Sequence, residues 1–477
     1  MDKQRIYDYI ESRRDALCEI SDRIWEYAEL SMEEYRSAGC YVEFLRKEGF
    51  QVEAPVAGIE TAFAASFGTG RPRIGILAEY DALSSLSQKA ECVFRTPEAE
   101  GGNGHGCGHN LLGAGALAAA LAVKELISSG ELSGTVVLYG CPGEEGCAAK
   151  AFMARDGMFR DLDAALTWHP GDVNEITTGS NAASLQIEYT FTGVASHAAE
   201  SPDMGRSALD AAELMNVGVQ FLREHIRRTD SVHYSFLDAG GPSPNVVQPR
   251  ARVLYMVRSD CVRSAKAVLE RVNNIAKGAA LMTGTEVSIR QIDGTSNTLS
   301  NRVLEKVLYE NFALAPMPEY SGEEIALAKQ LFDTYKTPGL PGETAKCDPQ
   351  TREFVEKASD FGMHPINDYL VPYYHCGTMS SGSTDVGDVS WLTPTAQFTA
   401  VTWPSKVPGH SWQVVSVGKS SMAHKGMMLA GKILASSAAD LMEHPELLNQ
   451  AREEFQRTAR DGYDCPLGPE VRPEAVG

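Results

Sequence analysis

Gly104-His105-Gly106-Cys107-Gly108-His109-Asn110 sets a thiol and two imidazoles close together, directly before a long apolar helical pattern from Leu111 to Ile127. Thiolate, imidazole and carboxylate are the donors of a divalent metal site. Carboxylates stand just upstream, where Gly75-Ile76-Leu77-Ala78-Glu79-Tyr80-Asp81 reads as a buried strand ending in two acids. The glycines around Cys107 let the backbone turn sharply and keep bulk away from the ligands. The segment reads as a metal site. The plainer alternative is a glycine-rich turn with a buried cysteine and a helix-capping histidine.

A second apolar run leads into Cys141-Pro142-Gly143-Glu144-Glu145-Gly146. Adjacent buried acids repel each other unless a cation sits between them. With a divalent metal there, one glutamate ligates while its neighbour handles a proton. Taken alone, the pair is equally an ordinary solvated acidic turn. Leu166-Thr167-Trp168-His169-Pro170 ends a third run with a histidine, either a ligand or a capped core imidazole. A further ligand is expected near the C-terminus, from His410 or His424. His410 follows a turn after the apolar strand 397–403, whereas His424 lies inside a helical pattern, so His410 is favoured. Together, Cys107, His109, Glu144, Glu145 and His169 fall at consecutive exits of one predicted sheet edge, where α/β proteins gather function.

Other chemistries fit less well. A phosphate loop would follow its glycines with Gly-Lys-Ser/Thr, and here Gly108-His109-Asn110 stands there. A dinucleotide fingerprint would follow its strand closely, but a long connection intervenes. A Cys–His protease dyad leaves two adjacent glutamates without a purpose. A structural zinc site would be saturated with Cys and His and would need no spare acid.

The elements that must position these residues alternate. Strands at 74–78, 135–140 and 164–168 are separated by helical patterns, as in an α/β domain with a mostly parallel sheet. After residue 183 the pattern becomes strand, helix, two strands, helix, strand, which predicts a smaller α+β domain inserted into the first. The expected boundaries are 1–183 and 297–477 for the larger domain, with an insertion at 314–370, and 184–296 for the smaller. Its own polar residues are His197 in Ala195-Ser196-His197-Ala198, Asn245 and Arg258. Should this domain close over the metal, arginine suits a carboxylate, and histidine or asparagine an oxyanion.

With 43 Lys+Arg against 63 Asp+Glu the net charge is −20, which argues against nucleic acid or an anionic membrane as partner. Ten cysteines without paired spacing read as reduced thiols. No apolar leader opens the chain and no window approaches eighteen uninterrupted apolar residues, so a cytoplasmic protein is expected.

Taken in order, these motifs resemble the co-catalytic metallohydrolases that include aminoacylases, glutamate carboxypeptidases and auxin-conjugate amidohydrolases. The resemblance spans nearly the whole chain. It rests on Ala78-Glu79-Tyr80-Asp81-Ala82-Leu83, Gly106-Cys107-Gly108-His109-Asn110, Glu144-Glu145, His169, Ser196-His197-Ala198-Ala199 and His410. It implies a metallohydrolase domain carrying a ferredoxin-like lid or dimerisation domain. It implies two divalent metals per subunit, Zn or Mn, with Cys107 bridging and His109, Glu145, His169 and His410 completing the set. Glu144 would be the general base, Asp81 would orient a ligand, and His197 would hold the oxyanion, reaching across a dimer interface. Asn245 and Arg258 would hold a substrate carboxylate. The implied reaction cleaves an acyl or aroyl group from an amino acid, with p-aminobenzoyl-glutamate favoured over other N-acyl amino acids or an indoleacyl-aspartate. The implied assembly is a homodimer, or a heterodimer with a paralogous subunit on which activity could depend. Two departures stand out: Asn110 occupies a place where many relatives have an acid, and Glu79 one where other branches present a ligand.

Overall fold

A computed structural model describes residues 2–335, 339–342 and 347–475. The chain opens with helices Lys3–Ser12, Arg14–Tyr27 and Tyr35–Lys47. Strands β1 (Gln51–Glu53), β2 (Phe63–Thr69), β3 (Arg73–Ala78), β4 (Gly134–Gly140), β5 (Ala164–Gly171) and β6 (Glu175–Thr177) follow. Next come β7 (Ala183–Thr192), β8 (Ser231–Asp238), β9 (Arg250–Ser259) and β10 (Glu286–Thr295), and later β11 (Thr395–Val401).

Seven strands form one sheet, ordered β1-β2-β4-β3-β5-β11-β6. Its inner strands β4, β3, β5 and β11 are parallel, and β1, β2 and β6 pair antiparallel at the flanks. The inner strands are apolar because helices cover both faces; every residue of β4 is buried. The sequence pattern misses β2, whose Phe63 and Ala65 face inwards while Gly68 and Thr69 are exposed. Helix His109–Ser128 is long and apolar enough to cross a membrane by length and composition. Here that apolarity serves the core, packed between the sheet and helices Arg14–Tyr27 and Ser421–Glu443.

The second sheet, β10-β7-β9-β8, is antiparallel throughout. Helices Ala208–Arg223 and Val262–Thr283 pack on it around a core that includes Tyr189, Phe191, Met215, Val253 and Val272. The expected strand–helix–strand–strand–helix–strand order is therefore present, with ferredoxin-like strand adjacency. In the 314–370 stretch, helix Gly322–Thr334 packs through Ala328 and Leu331 against Trp403, Val414 and Met422. Helix Pro349–Ala358 contributes Val355 to a small cluster with Val173 and Val371. Both cover the region that follows β5 and β11.

Candidate metal centre

The parallel strands deliver their polar residues to one end. Glu79 and Asp81 follow β3, Glu144 and Glu145 follow β4, and His169 lies near the end of β5. The turn after β4 is tied down by Glu34, which accepts from the Gly143 amide at 2.8 Å and from Thr61 Oγ1 at 3.0 Å. Burial, and then the neighbouring Asp81 charge, push the Glu34 carboxyl up to about 8.

Cys107 and His109 sit where the 109–128 helix starts. Gly108 is left-handed (φ 74°), and a Cβ there would meet the Pro170 ring at 2.9 Å. This close approach, open to glycine, sets the helix start against the end of β5. His410 is also left-handed (φ 60°), a strained state for a side-chain-bearing residue. Its amide donates to the Gly106 carbonyl at 2.7 Å, which holds the loop against the Cys107 turn.

Three groups of donor atoms converge, each within 4.8 Å: Cys107 with His109 and His169, Cys107 with Glu145 and His410, and Glu79 with His109 and Glu144. All five residues expected as metal ligands are therefore brought together, with Glu144 beside them. Cys107 Sγ lies 3.4 Å from His169 Nε2, and Glu145 Oε1 lies 3.2 Å from His410 Nε2. The His410 side chain is 57% exposed, so the cluster opens to solvent on that side.

The residues fit a cation. His109 Nδ1–H donates to Asp81 Oδ1 at 2.8 Å, and His169 Nδ1–H donates to the Pro170 carbonyl at 2.6 Å. Each ring thereby turns an Nε2 lone pair towards the cluster, the arrangement of a metal-ligating histidine. His109 Nε2 is buried without any hydrogen-bond partner, a cost that a cation at its lone pair would offset. Asp81 is itself fixed by Ser31 Oγ at 3.1 Å and the Glu145 amide at 2.9 Å.

Electrostatics point the same way. Burial, then the charges of Glu79 and Glu145, raise Glu144 well above the ordinary carboxyl range. Burial and Glu145 raise the Cys107 thiol as well, and a bound cation reverses that preference. Burial opposes charging of His109, but Cys107 and Asp81 outweigh it and raise its pKa. For Asp81, burial is outweighed by His109, which holds the carboxyl low.

Other expectations fall elsewhere. His424 does not approach the cluster; its Nε2 pairs with Asp22 Oδ1 at 2.9 Å between two helices. His105 is a buried structural residue, its Nε2 donating to the Ile24 carbonyl at 3.0 Å. Asn110 points away from the donors, its amide nitrogen donating to Ser21 Oγ and the Gly418 carbonyl, each at 3.0 Å.

His197 and Asn245 are exposed, on two segments that pair through the His197–Val246 bridge and the Ala198 amide to Asn245 carbonyl bond of 2.9 Å. His197 belongs to none of the converging groups. Its Nδ1 accepts from the Ala199 and Glu200 amides at 3.3 and 3.1 Å, so its proton sits on Nε2. Arg258 lies on β9 with a buried Nε that has no hydrogen-bond partner.

Lys150 is absent from the residues expected on sequence grounds, yet it is a fully buried lysine bridging Glu79 and Asp385. Its signal is a lone cation inside the apolar run Ala148-Ala149-Lys150-Ala151-Phe152.

Residues 75–375 match Peptidase family M20/M25/M40. One of the subunits of the p-aminobenzoyl-glutamate hydrolase of Escherichia coli (strain K12) is 42% identical to this chain, covering 99% of it and 100% of the relative. The Xaa-Arg dipeptidase of Mus musculus is 26% identical, over 95% and 92% of the two chains. Among solved structures, an aminobenzoyl-glutamate utilization protein from Klebsiella pneumoniae shares the fold with a TM-score of 0.58 at 16% identity, covering 88% of this chain and 97% of that one. A dinuclear metal-binding peptidase of the M20 family from Bacillus subtilis does so at 0.55 and 17%, covering 91% and 99%. With a family match that spans every residue of the donor cluster except His410 and a 42% identical hydrolase aligned end to end, the chain belongs to peptidase family M20/M25/M40 and is a metallo-amidase or peptidase-like hydrolase.

Proposed function

We propose that this chain hydrolyses the amide bond between an acyl or aroyl group and an amino acid, with p-aminobenzoyl-glutamate as first substrate, at a centre of two Zn or Mn ions. The observation that carries the reading is the shared thiol: Cys107 belongs both to the group with His109 and His169 and to the group with Glu145 and His410. The name of the 42% identical relative supports the substrate. When bound, the ions polarise the scissile carbonyl and lower the pKa of a water from about 16 towards about 7.

The remaining work falls to the chain. Glu144, whose proton affinity is raised by burial beside Glu79 and Glu145, takes the proton of the attacking water and passes it to the leaving amine nitrogen. Asp81 keeps the His109 ring in its ligating orientation. His197 donates from Nε2 to the oxyanion, while Asn245 and Arg258 hold the substrate carboxylate.

These last three ride on residues 184–296, which we assign as the lid and dimerisation domain. Its edge strand β8 exposes Tyr234, Phe236 and Leu237, and helix Ala208–Arg223 exposes Val217 and Phe221. This apolar surface suits a neighbouring protomer, so that His197 reaches across the interface to the neighbour's metal centre. Two Escherichia coli relatives are named as different subunits of one p-aminobenzoyl-glutamate hydrolase, which supports a second copy or a paralogue as that partner.

The test uses the purified full chain with added Mn or Zn and a panel of N-acyl amino acids that includes p-aminobenzoyl-glutamate and an indoleacyl-aspartate. Release of p-aminobenzoate and glutamate is expected. Inert glutamate and aspartate conjugates beside reactive neutral ones would overturn the substrate assignment. Glu144→Gln is expected to lower kcat about 10²- to 10⁴-fold with metal content unchanged; wild-type kcat would remove Glu144 from its role.

A further inference from the structure

Beside the donor set lies a buried charge cluster to which the mechanism above gives no task. Lys150 sits on helix Ala149–Arg155, just beyond the Glu144-Glu145 turn, and is completely buried. Its Nζ lies 2.7 Å from Glu79 Oε1 and donates to Asp385 Oδ1 at 2.6 Å. Its backbone amide donates to the other Asp385 oxygen at 2.9 Å, so Asp385 grips both ends of the residue. An ammonium removed from water persists as a charge when carboxylates and hydrogen bonds answer it, and here two do.

The consequence lies on the far side of Glu79. With Oε1 held by Lys150, Oε2 is turned to His109 Nε2 at 3.4 Å, the ring nitrogen that also faces Cys107 and His169. A carboxylate oxygen of Glu79 also belongs to the converging group with His109 and Glu144. That group therefore already faces a cation, and the cation is an ammonium.

Asp385 is itself wedged in place. It immediately precedes helix Val386–Ser390, in which a Cβ on Gly387 would meet the Ser296 carbonyl oxygen at 2.0 Å. Asp388 accepts from the Ser296 amide at 3.0 Å and from its hydroxyl at 2.7 Å. The grip on Lys150 is thus anchored directly after β10, at the root of the second sheet.

We infer that Lys150, held by Asp385, is a positioning residue that fixes Glu79 with one oxygen towards His109 and Glu144, and so shapes the metal centre without touching metal or substrate. This rests on the metal-centre reading given above. Removing Lys150 alone strands two buried carboxylates, so the informative variants strand one at most. These are Lys150→Met/Asp385→Asn, which frees Glu79, and Glu79→Gln, which leaves the Lys150–Asp385 pair intact.

The probe is Co(II) alone, added to the metal-free full chain, with its visible absorption as readout. Both variants are expected to bind as much Co(II) as wild type but with shifted bands. Their kcat on the best amide substrate is expected to fall about 10-fold or more with KM within about 2-fold. Adding Glu79→Gln to Lys150→Met/Asp385→Asn is expected to cost less than about 2-fold more, because the residues act in series. Variants with a lowered Tm but wild-type Co(II) bands and kcat would make the cluster structural only and overturn the inference. So would losses that multiply in the combined variant. If Lys150→Met/Asp385→Asn does not fold, Glu79→Gln decides alone, and wild-type bands there overturn the inference. A wild-type chain that takes up no Co(II) overturns the metal-centre reading along with it.

Discussion

His109 and His169, at the end of the parallel sheet, differ from His197 on the second sheet in what each Nδ1 touches. The first two donate from Nδ1, to Asp81 and to the Pro170 carbonyl, and turn a lone pair on Nε2 into a crowded, partly buried cluster. His197 accepts at Nδ1 from two backbone amides and carries its proton on Nε2, at an exposed position. The same side chain is prepared as a ligand in one region and as a hydrogen-bond donor in the other. A ligand needs converging neighbours within its own chain. A donor needs a partner that arrives later, which is why exposure suits it.

The largest effect is expected at His197. If it is a donor to the oxyanion, His197→Ala lowers kcat about 10²- to 10³-fold with metal content unchanged. Steady-state kinetics beside metal analysis checks this, and a variant that loses metal instead would place His197 among the ligands. A smaller effect is expected on the other side. Asp81→Asn removes the carboxylate that orients His109 and should weaken metal binding about 10- to 100-fold, read by chelator competition. Unchanged affinity would show that the His109 ring is held by packing alone.

This contrast also explains what can be read from residue order. Strand exits follow from apolar runs, so hydrophobic pattern alone places Glu79, Glu144, Glu145 and His169 at one sheet edge. The separation of His410 from His424 follows from the same logic, a turn after a strand against the interior of a helix. The succession of strands and helices over 184–296 is legible because alternating apolar and polar residues mark half-exposed strands, as the burial pattern of β9 bears out. By contrast, β2 escapes the pattern because antiparallel flank strands with small residues carry little periodicity. Lys150 and Asp385 cannot be paired from sequence because they are 235 residues apart, and only the three-dimensional fold makes one answer the other. The structural role of His105 is not legible in the sequence because nothing local reveals its bond to Ile24 in an earlier helix.

The smallest effect is expected at a carboxylate whose role is set by charge, not tautomer. Glu188, on β7, has its own partners: Arg252 Nε donates to Oε1 at 2.7 Å and Arg290 Nη2 to Oε2 at 2.9 Å. Hydrogen bonding from Arg252 leads in lowering its pKa to about 2; burial opposes, and Arg290 adds to the lowering. Glu144 lies at the other extreme, raised first by burial and then by its acid neighbours Glu79 and Glu145. A carboxylate answered by arginines on a partly solvated sheet serves the fold, so Glu188→Gln should leave kcat and metal content unchanged. Because both arginines are partly exposed, at 33% and 55%, the lost stability should stay below about 1 kcal/mol. Its pH dependence follows from the lowered pKa. The contribution of Glu188 is complete above the unfolded value of about 4.3 and fades as pH falls through about 2. Thermal midpoints of wild type and Glu188→Gln should therefore differ most above about pH 4.5 and converge on acidification. A difference that persists or grows towards pH 2 would mean that the glutamate stabilises the sheet by packing and not by charge.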